Sequence, residues 1–242
     1  MLSAFLAACG GGGSGEGNSA TNGESTASIP PSKPPVSIDA QGDSTMHGTE
    51  QLPDGSYIIA SNSAPADLQA LLQATYGATV TVTNNGLGGS TVADRLQASG
   101  GYSQWWKDYV ATDSAQIVIE NWGINDSNPI VNETPAQFEA DLLAWVQLTQ
   151  QAGKIVVLEE PQPVCNPSFS ALPQYVQVVD NVAAQLGLPL VQQYQYIESL
   201  PNWQSYLGAD CTHPADDRLY QIKAQREYAV LAPIVQSLRA GI

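Results

Sequence analysis

The chain has 242 residues, enough for one α/β domain with a substantial core. It carries 23 Asp and Glu against 8 Lys and Arg, a formal net charge of −15. A surface this acidic keeps an exported protein soluble and repels phosphate backbones and anionic headgroups, which argues against nucleic acid as a partner. No apolar stretch approaches the roughly 20 residues needed to span a bilayer.

The first segment, Leu6-Ala7-Ala8-Cys9, resembles a bacterial lipobox, in which a signal peptidase cuts before the cysteine and the thiol is acylated. Met1 to Ala8 is too short for the apolar region of a signal peptide and holds no Lys or Arg. Either the true start lies upstream, which is the preferred reading, or the match is chance. Residues 1–9 are thus expected to be the remnant of a lipoprotein signal, with Cys9 as the lipidation site. Residues 10–35 are Gly, Ser, Asn, Thr and Pro with almost no apolar content. They form the expected tether, a flexible coil of roughly 25–30 Å end to end. The catalytic domain is expected over residues 36–242.

From Val36 onward, strand-like and helix-like segments alternate. The β-branched runs Val36–Asp39, Thr79–Thr83, Gln116–Glu120, Lys154–Leu158 and Leu188–Val191 predict strands buried on both faces. Helices are predicted over Ala64–Tyr76, Thr91–Ala98, Thr134–Ala152, Leu172–Leu186 and Ala215–Ala240, with Thr134 as an N-cap and Pro135 at the first helical position. Five strands interleaved with helices predict an α/β fold, a three-layer α/β/α sandwich around a five-stranded parallel sheet. Ligands in such sheets bind beyond the carboxyl ends of the strands.

The segments with chemistry in them fall at those ends. Gly42-Asp43-Ser44-Thr45 follows the first strand, Asn84-Asn85-Gly86-Leu87-Gly88-Gly89-Ser90 the second, and Gly123-Ile124-Asn125-Asp126 the third; Asp210-Cys211-Thr212-His213-Pro214 precedes the last helix. A serine hydroxyl is a poor nucleophile until a base takes its proton. The chain has two histidines, His47 and His213. His213 has Asp210 three positions back, where a turn can set the carboxylate on Nδ1 and leave Nε2 facing Ser44. His47 lacks a nearby aspartate and is expected to line a pocket or sit on the surface. The predicted start of the last helix lies just past His213, and its positive end would favour a neutral imidazole. Asp43 and Asp126 are expected to anchor their loops, and Trp122 either lines the pocket or packs in the core.

These four blocks, in this order over about residues 36–240, resemble the SGNH hydrolase (GDSL esterase/lipase) family. The resemblance implies a flavodoxin-like fold, with Ser44, Asp210 and His213 catalytic. It also implies an oxyanion hole from the Ser44 N–H, the Gly89 N–H (or Gly88, if the alignment slips by one) and the Asn125 amide. Thr45 stands where the commonest form of the first block has leucine, a version similar to that of some carbohydrate acetylesterases in the superfamily.

Three cysteines remain to be divided. If Cys9 carries lipid, Cys165 and Cys211 are left as a pair in an oxidising compartment, and a crosslink between them would contribute on the order of 4 kcal/mol; two unpaired buried thiols are the alternative. With two histidines and no Cys-x-x-Cys, neither a metal nor a cofactor is expected. The expected activity is hydrolysis of short acyl esters through an acyl-enzyme. An O-acetylesterase or O-acyltransferase acting on polysaccharide is the alternative, and a non-catalytic envelope protein the third reading. The expected partners are a small ester or acylated glycan, with membrane contact only through the N-terminal lipid, and the expected state is a monomer in the bacterial envelope or secreted. The loops Gln51–Ser63, Gly100–Tyr109 and Gln162–Pro173 are expected to shape the pocket, where Tyr102, Trp105 and Trp106 either stack on a sugar or pack.

Overall fold

The computed structural model describes residues 33–241. Cys9, the lipobox and nearly all of the expected tether lie outside them. Strands are β1 (Val36–Gly42), β2 (Thr49–Gln51), β3 (Tyr57–Ile59), β4 (Val80–Asn84), β5 (Ile117–Asn121), β6 (Ile155–Glu159) and β7 (Leu190–Val191). Helices are α1 (Ser44–His47), α2 (Ala64–Tyr76), α3 (Val92–Gln97), α4 (Trp106–Thr112), α5 (Pro135–Gln151), α6 (Leu172–Leu186), α7 (Tyr194–Glu198) and α8 (Arg218–Ala240).

Five strands form one wholly parallel sheet in the order β4-β1-β5-β6-β7. The order reverses at β1, so the crevice between β1 and β5 is the switch point where such folds place their ligands. Strand alternation sorts the core into two layers. Ile38 and Ala40 of β1, Ile117 and Ile119 of β5 and Val157 of β6 pack with Leu68 and Leu72 of α2 and Leu231 and Val235 of α8. Val118, Val156 and Leu158 face the other way, onto Phe138, Leu142 and Trp145 of α5 and Val179 of α6. The three-layer architecture follows directly from that period of two.

Helix ends follow the sequence closely where a side chain caps them. Thr134 accepts from Gln137 N–H while Gln137 reaches back to Thr134, with Pro135 inside the first turn. Thr91 and Asp94 make the same box at α3. Three elements depart from the sequence expectation. The loop over 51–63 contains β3, which pairs antiparallel with β2 around Leu52-Pro53-Asp54-Gly55-Ser56. The stretch 100–109 runs into α4, whose Trp106 is fully buried and donates from Nε1 to Thr149 Oγ1. The last helix starts at Arg218 rather than Ala215, with Asp216 accepting from the backbone N–H and Nε of Arg218 just before it.

Candidate active site

The position of Ser44, the candidate nucleophile, is built by the end of β1. Asp43 caps the single turn α1, its Oδ1 accepting from Thr45 N–H at 2.8 Å and from Thr45 Oγ1 at 2.9 Å. That places Ser44 on the first helical residue, its Oγ 2.9 Å from His213 Nε2. His213 Nδ1 lies 2.6 Å from Asp210 Oδ2, so the imidazole proton sits on Nδ1 and Nε2 is left to accept from the serine. Asp210 Oδ1 takes the backbone N–H groups of Thr212 and His213. Burial works against the charged carboxylate, but the His213 ring bond and these two backbone bonds hold Asp210 below its ordinary pKa.

Two supports of this loop were not read from the sequence. Tyr57 of β3 donates to Asp210 Oδ2 at 3.2 Å and sets its ring edge-on to His213 at 5.2 Å. Gln51 of β2 accepts from Asp210 N–H at 2.6 Å. The Pro-Asp-Gly turn between them is the signal that could have placed both. On the other side, Cys165 and Cys211 form a disulfide, and Cys165 N–H donates to Cys211 O at 2.9 Å. Gln162 Nε2 donates to Thr212 O and Asn166 Nδ2 to Asp210 O. The histidine loop is therefore clamped between a hairpin and a crosslinked segment. The helix start lies five residues past His213, so the argument that places the ring at a helix N-terminus loses its geometry.

The second block packs against the first through two glycines with different reasons. A Cβ on Gly86 would lie 2.4 Å from His47 N, so the loop reaches the nucleophile turn only with no side chain there. Gly89 has open space but φ +80, a left-handed conformation that glycine adopts freely. Close approach therefore requires glycine at 86, and backbone conformation favours it at 89. Gly88 faces Ser44, with its notional Cβ 3.9 Å from Ser44 Cβ. Asn125 directs Nδ2 to Ser90 O at 3.0 Å, leaving one amide hydrogen for another acceptor. Asp126 anchors its loop, taking Val92 N–H and Gly123 N–H. Trp122 is fully buried against Trp145 and donates to Ser90 Oγ, so it is core and not pocket. Of the aromatics at 102–106, Trp105 is the one exposed side chain.

Beneath the nucleophile turn lies a buried ionic cluster that the sequence did not reveal. Asn121 Oδ1 accepts from Thr45 Oγ1 at 3.0 Å and from Lys223 Nζ at 3.0 Å. Lys223 is fully buried and lies 3.4 Å from Glu159 Oε1, which Gln193 also bonds. Burial pushes Glu159 and Glu227 up, with the ammonium of Lys223 pulling both back. Burial also raises Asp43, against the Thr45 bonds and Lys223.

Several acids apart from Ser44, Asp210 and His213 have their pKa raised on folding. Burial, with nearby Asp126, Asp141 and Asp94, pushes Glu133 up to about 8, and burial pushes Asp126 up to about 7. Unfolded, such groups titrate near ~4. Below that value both states are protonated. Between it and the folded value the unfolded chain has lost protons that the folded chain retains, so stability falls as pH rises. We therefore expect a higher Tm at pH 5.5 than at pH 8.5 by scanning calorimetry, and self-repulsion at net charge −15 acts in the same direction. A Tm that climbs across this window contradicts the assignment. Asp210, being lowered, loses its contribution only under more acidic conditions than these.

Residues 40–217 match the family model of the GDSL-like lipase/acylhydrolase family. Among solved structures, the lipase/acylhydrolase from Enterococcus faecalis superposes with a TM-score of 0.68 at 21% identity, covering 82% of this chain and 96% of that one. The aryl esterase of M. smegmatis gives 0.63 at 19% identity, covering 84% and 99%. An acetylxylan esterase from Geobacillus stearothermophilus gives 0.64 at 22% identity, covering 83% and 95%. At these identities the likeness is one of fold. No curated protein sequence matches the chain.

Proposed function

The chain belongs to the GDSL-like lipase/acylhydrolase family and is a carboxylic ester hydrolase, and from that premise we propose that it cleaves short acyl esters through an acyl-enzyme on Ser44. The observation that carries this reading is the continuous relay Ser44 Oγ, His213 Nε2, His213 Nδ1 and Asp210 Oδ2, with contacts of 2.9 and 2.6 Å. His213 takes the proton of Ser44 as Oγ attacks the ester carbonyl. Asp210 holds the ring in the tautomer that can accept and stabilises the imidazolium that forms. The same proton is then given to the alkoxide leaving group. Water, deprotonated by His213, attacks the acyl-enzyme and frees the acid and Ser44.

The negative oxygen of each tetrahedral intermediate is met by the Ser44 N–H, the N–H of Gly89 or Gly88, and the free amide hydrogen of Asn125. Support for Asn125 is its anchoring to Ser90 O, which fixes the amide before substrate arrives. Asn125→Ala is expected to lower kcat by about 10²–10³ with little change in Tm. Steady-state kinetics with p-nitrophenyl acetate reads this, and an unchanged kcat removes Asn125 from the oxyanion hole.

Acetylated glycans are the preferred natural substrates in this reading. Exposed Trp105 offers a face for a sugar ring, and structural neighbours include an acetylxylan esterase. The Cys165–Cys211 bond supports action in an oxidising compartment, secreted or in the envelope. The reading is tested by turnover on a chain-length series of p-nitrophenyl esters beside acetylated polysaccharides. Release of acetate from the polymer supports it; acetyl appearing on a sugar acceptor with no free acetate would turn it to acyl transfer.

A further inference from the structure

The second block, at Asn84 to Leu87, forms one wall of a cavity of about 380 Å³. Its walls include Arg95, His47, Asn84, Tyr102, Ser103 and Gln104. Arg95 is only 3% exposed, and the described residues offer it no salt bridge. Its Nε donates to Gln41 Oε1 at 2.9 Å and its Nη1 to Gln104 O at 3.1 Å, while Nη2 has no hydrogen-bond partner among the described residues. The guanidinium carbon lies 4.3 to 4.7 Å from the ring centres of Tyr109, Trp106 and Tyr102. The nearest carboxylate in this network, Asp39, is reached only through Gln41 and is taken up by Gln41, Asn85 and Tyr109.

A buried charge is ordinarily paired. Arginine cannot escape the cost by giving up its proton, and aromatic faces compensate it only in part. Arg95 therefore lines the cavity with one donor unused, its charge offset by Asp39 only across Gln41, in a chain with only eight Lys and Arg. His47, the histidine that the relay does not use, lines the same cavity, and its ring makes no hydrogen bond with the described residues. The position relative to the nucleophile is fixed by one loop. Leu87 N–H donates to Gly42 O, Gly86 lies against the backbone of His47, and Gly88 faces Ser44. A substrate with its ester at Ser44 has the cavity one loop away.

We propose that this cavity is a subsite for a carboxylate carried by the substrate, held by Arg95 Nη2 with His47 and the polar side chains at its mouth. The substrate class is then an acylated acidic sugar, a uronate rather than a neutral sugar. The inference rests on the esterase reading only for the placement of the ester, since binding at the cavity needs no turnover.

Two measurements test it. The first compares kcat/KM for acetylated glucuronate and identically acetylated glucose. A charge-assisted bond in a buried site predicts a preference of about tenfold for the uronate, weakening with added salt and collapsing towards 1 in Arg95→Met. The second is calorimetric titration of the intact protein with glucuronate, glucose and inorganic phosphate. Saturable binding of glucuronate alone, weakened in His47→Gln, supports the subsite even if Arg95→Met does not fold. Equal kcat/KM for the two sugars, or no glucuronate binding, overturns it, and binding of phosphate alone overturns the carboxylate assignment. Turnover of p-nitrophenyl acetate by the wild type separates the failures: if it persists while the uronate preference is absent, the subsite falls and the esterase reading stands.

Discussion

Replacing His213 with alanine is expected to lower kcat for p-nitrophenyl acetate by roughly 10⁴–10⁶, the range in which removal of a triad base leaves only binding and oxyanion stabilisation. Asp210→Asn is expected to cost about 10⁴, because an amide cannot hold Nδ1–H and stabilise the imidazolium. The double variant should lose no more than His213→Ala alone, since Asp210 acts only through the ring that it contacts at 2.6 Å. Additive losses would mean that Asp210 works by another route. Tyr57 and Gln51 bear on the same atoms from the β2–β3 hairpin, so the relay depends on an element outside the central sheet.

The second large effect is expected at Lys223, far from the sequence blocks. Lys223→Met leaves Glu159, Glu227 and Asp43 buried around a vanished cation. Breaking such a cluster on one side destabilises by about 3–5 kcal/mol. Urea unfolding should show this as a fall in midpoint at constant slope. Adding Glu159→Gln should recover part of the loss, because removing both charges spares the uncompensated one. Full stability in Lys223→Met would show that the cluster is already neutral without it. The link to chemistry runs through Asn121 Oδ1, which takes hydrogen bonds from Lys223 and Thr45 together. The threonine at position 45 in place of the commoner leucine thus has a structural use: its hydroxyl ties the nucleophile turn to this cluster.

What could be read from the sequence, and what could not, divides along physical lines. The strands β5 and β6 were legible because continuous β-branched runs mark strands buried on both faces, and α5 because Thr134 and Pro135 announce its start. The four loops were legible because the topology forces them to one sheet edge. The β2–β3 hairpin was not, since Thr49–Gln51 and Tyr57–Ile59 are only three residues each and β3 is fully exposed, giving no hydrophobic alternation. The Pro-Asp-Gly turn was the one available cue. Lys223 and Glu227 sit four apart on a helix, a spacing that ordinarily marks a solvent-exposed ion pair. The packing of α8 against α2, β1 and β7 turns that face inward. Gly86 and Gly89 are indistinguishable in sequence, and the neighbour at 2.4 Å separates them. Trp122 stayed undecided until its indole was found against Trp145.

The acid-heavy composition also acquires a location. Glu120, Asp126, Glu159 and Glu227 are buried, and burial pushes the pKa of each of them up. Of these, Asp126, together with Glu133, gives the expected loss of stability on the alkaline side.

The central claim is that Ser44 is the nucleophile, made reactive by His213. It is tested most directly by treating the native protein with a fluorophosphonate and mapping the adduct by peptide mass spectrometry. The account predicts a single stoichiometric adduct on Ser44, complete loss of esterase turnover in step with labelling, and no adduct in His213→Ala on the same timescale. Turnover that survives in Ser44→Ala, or an adduct on another residue, would contradict it.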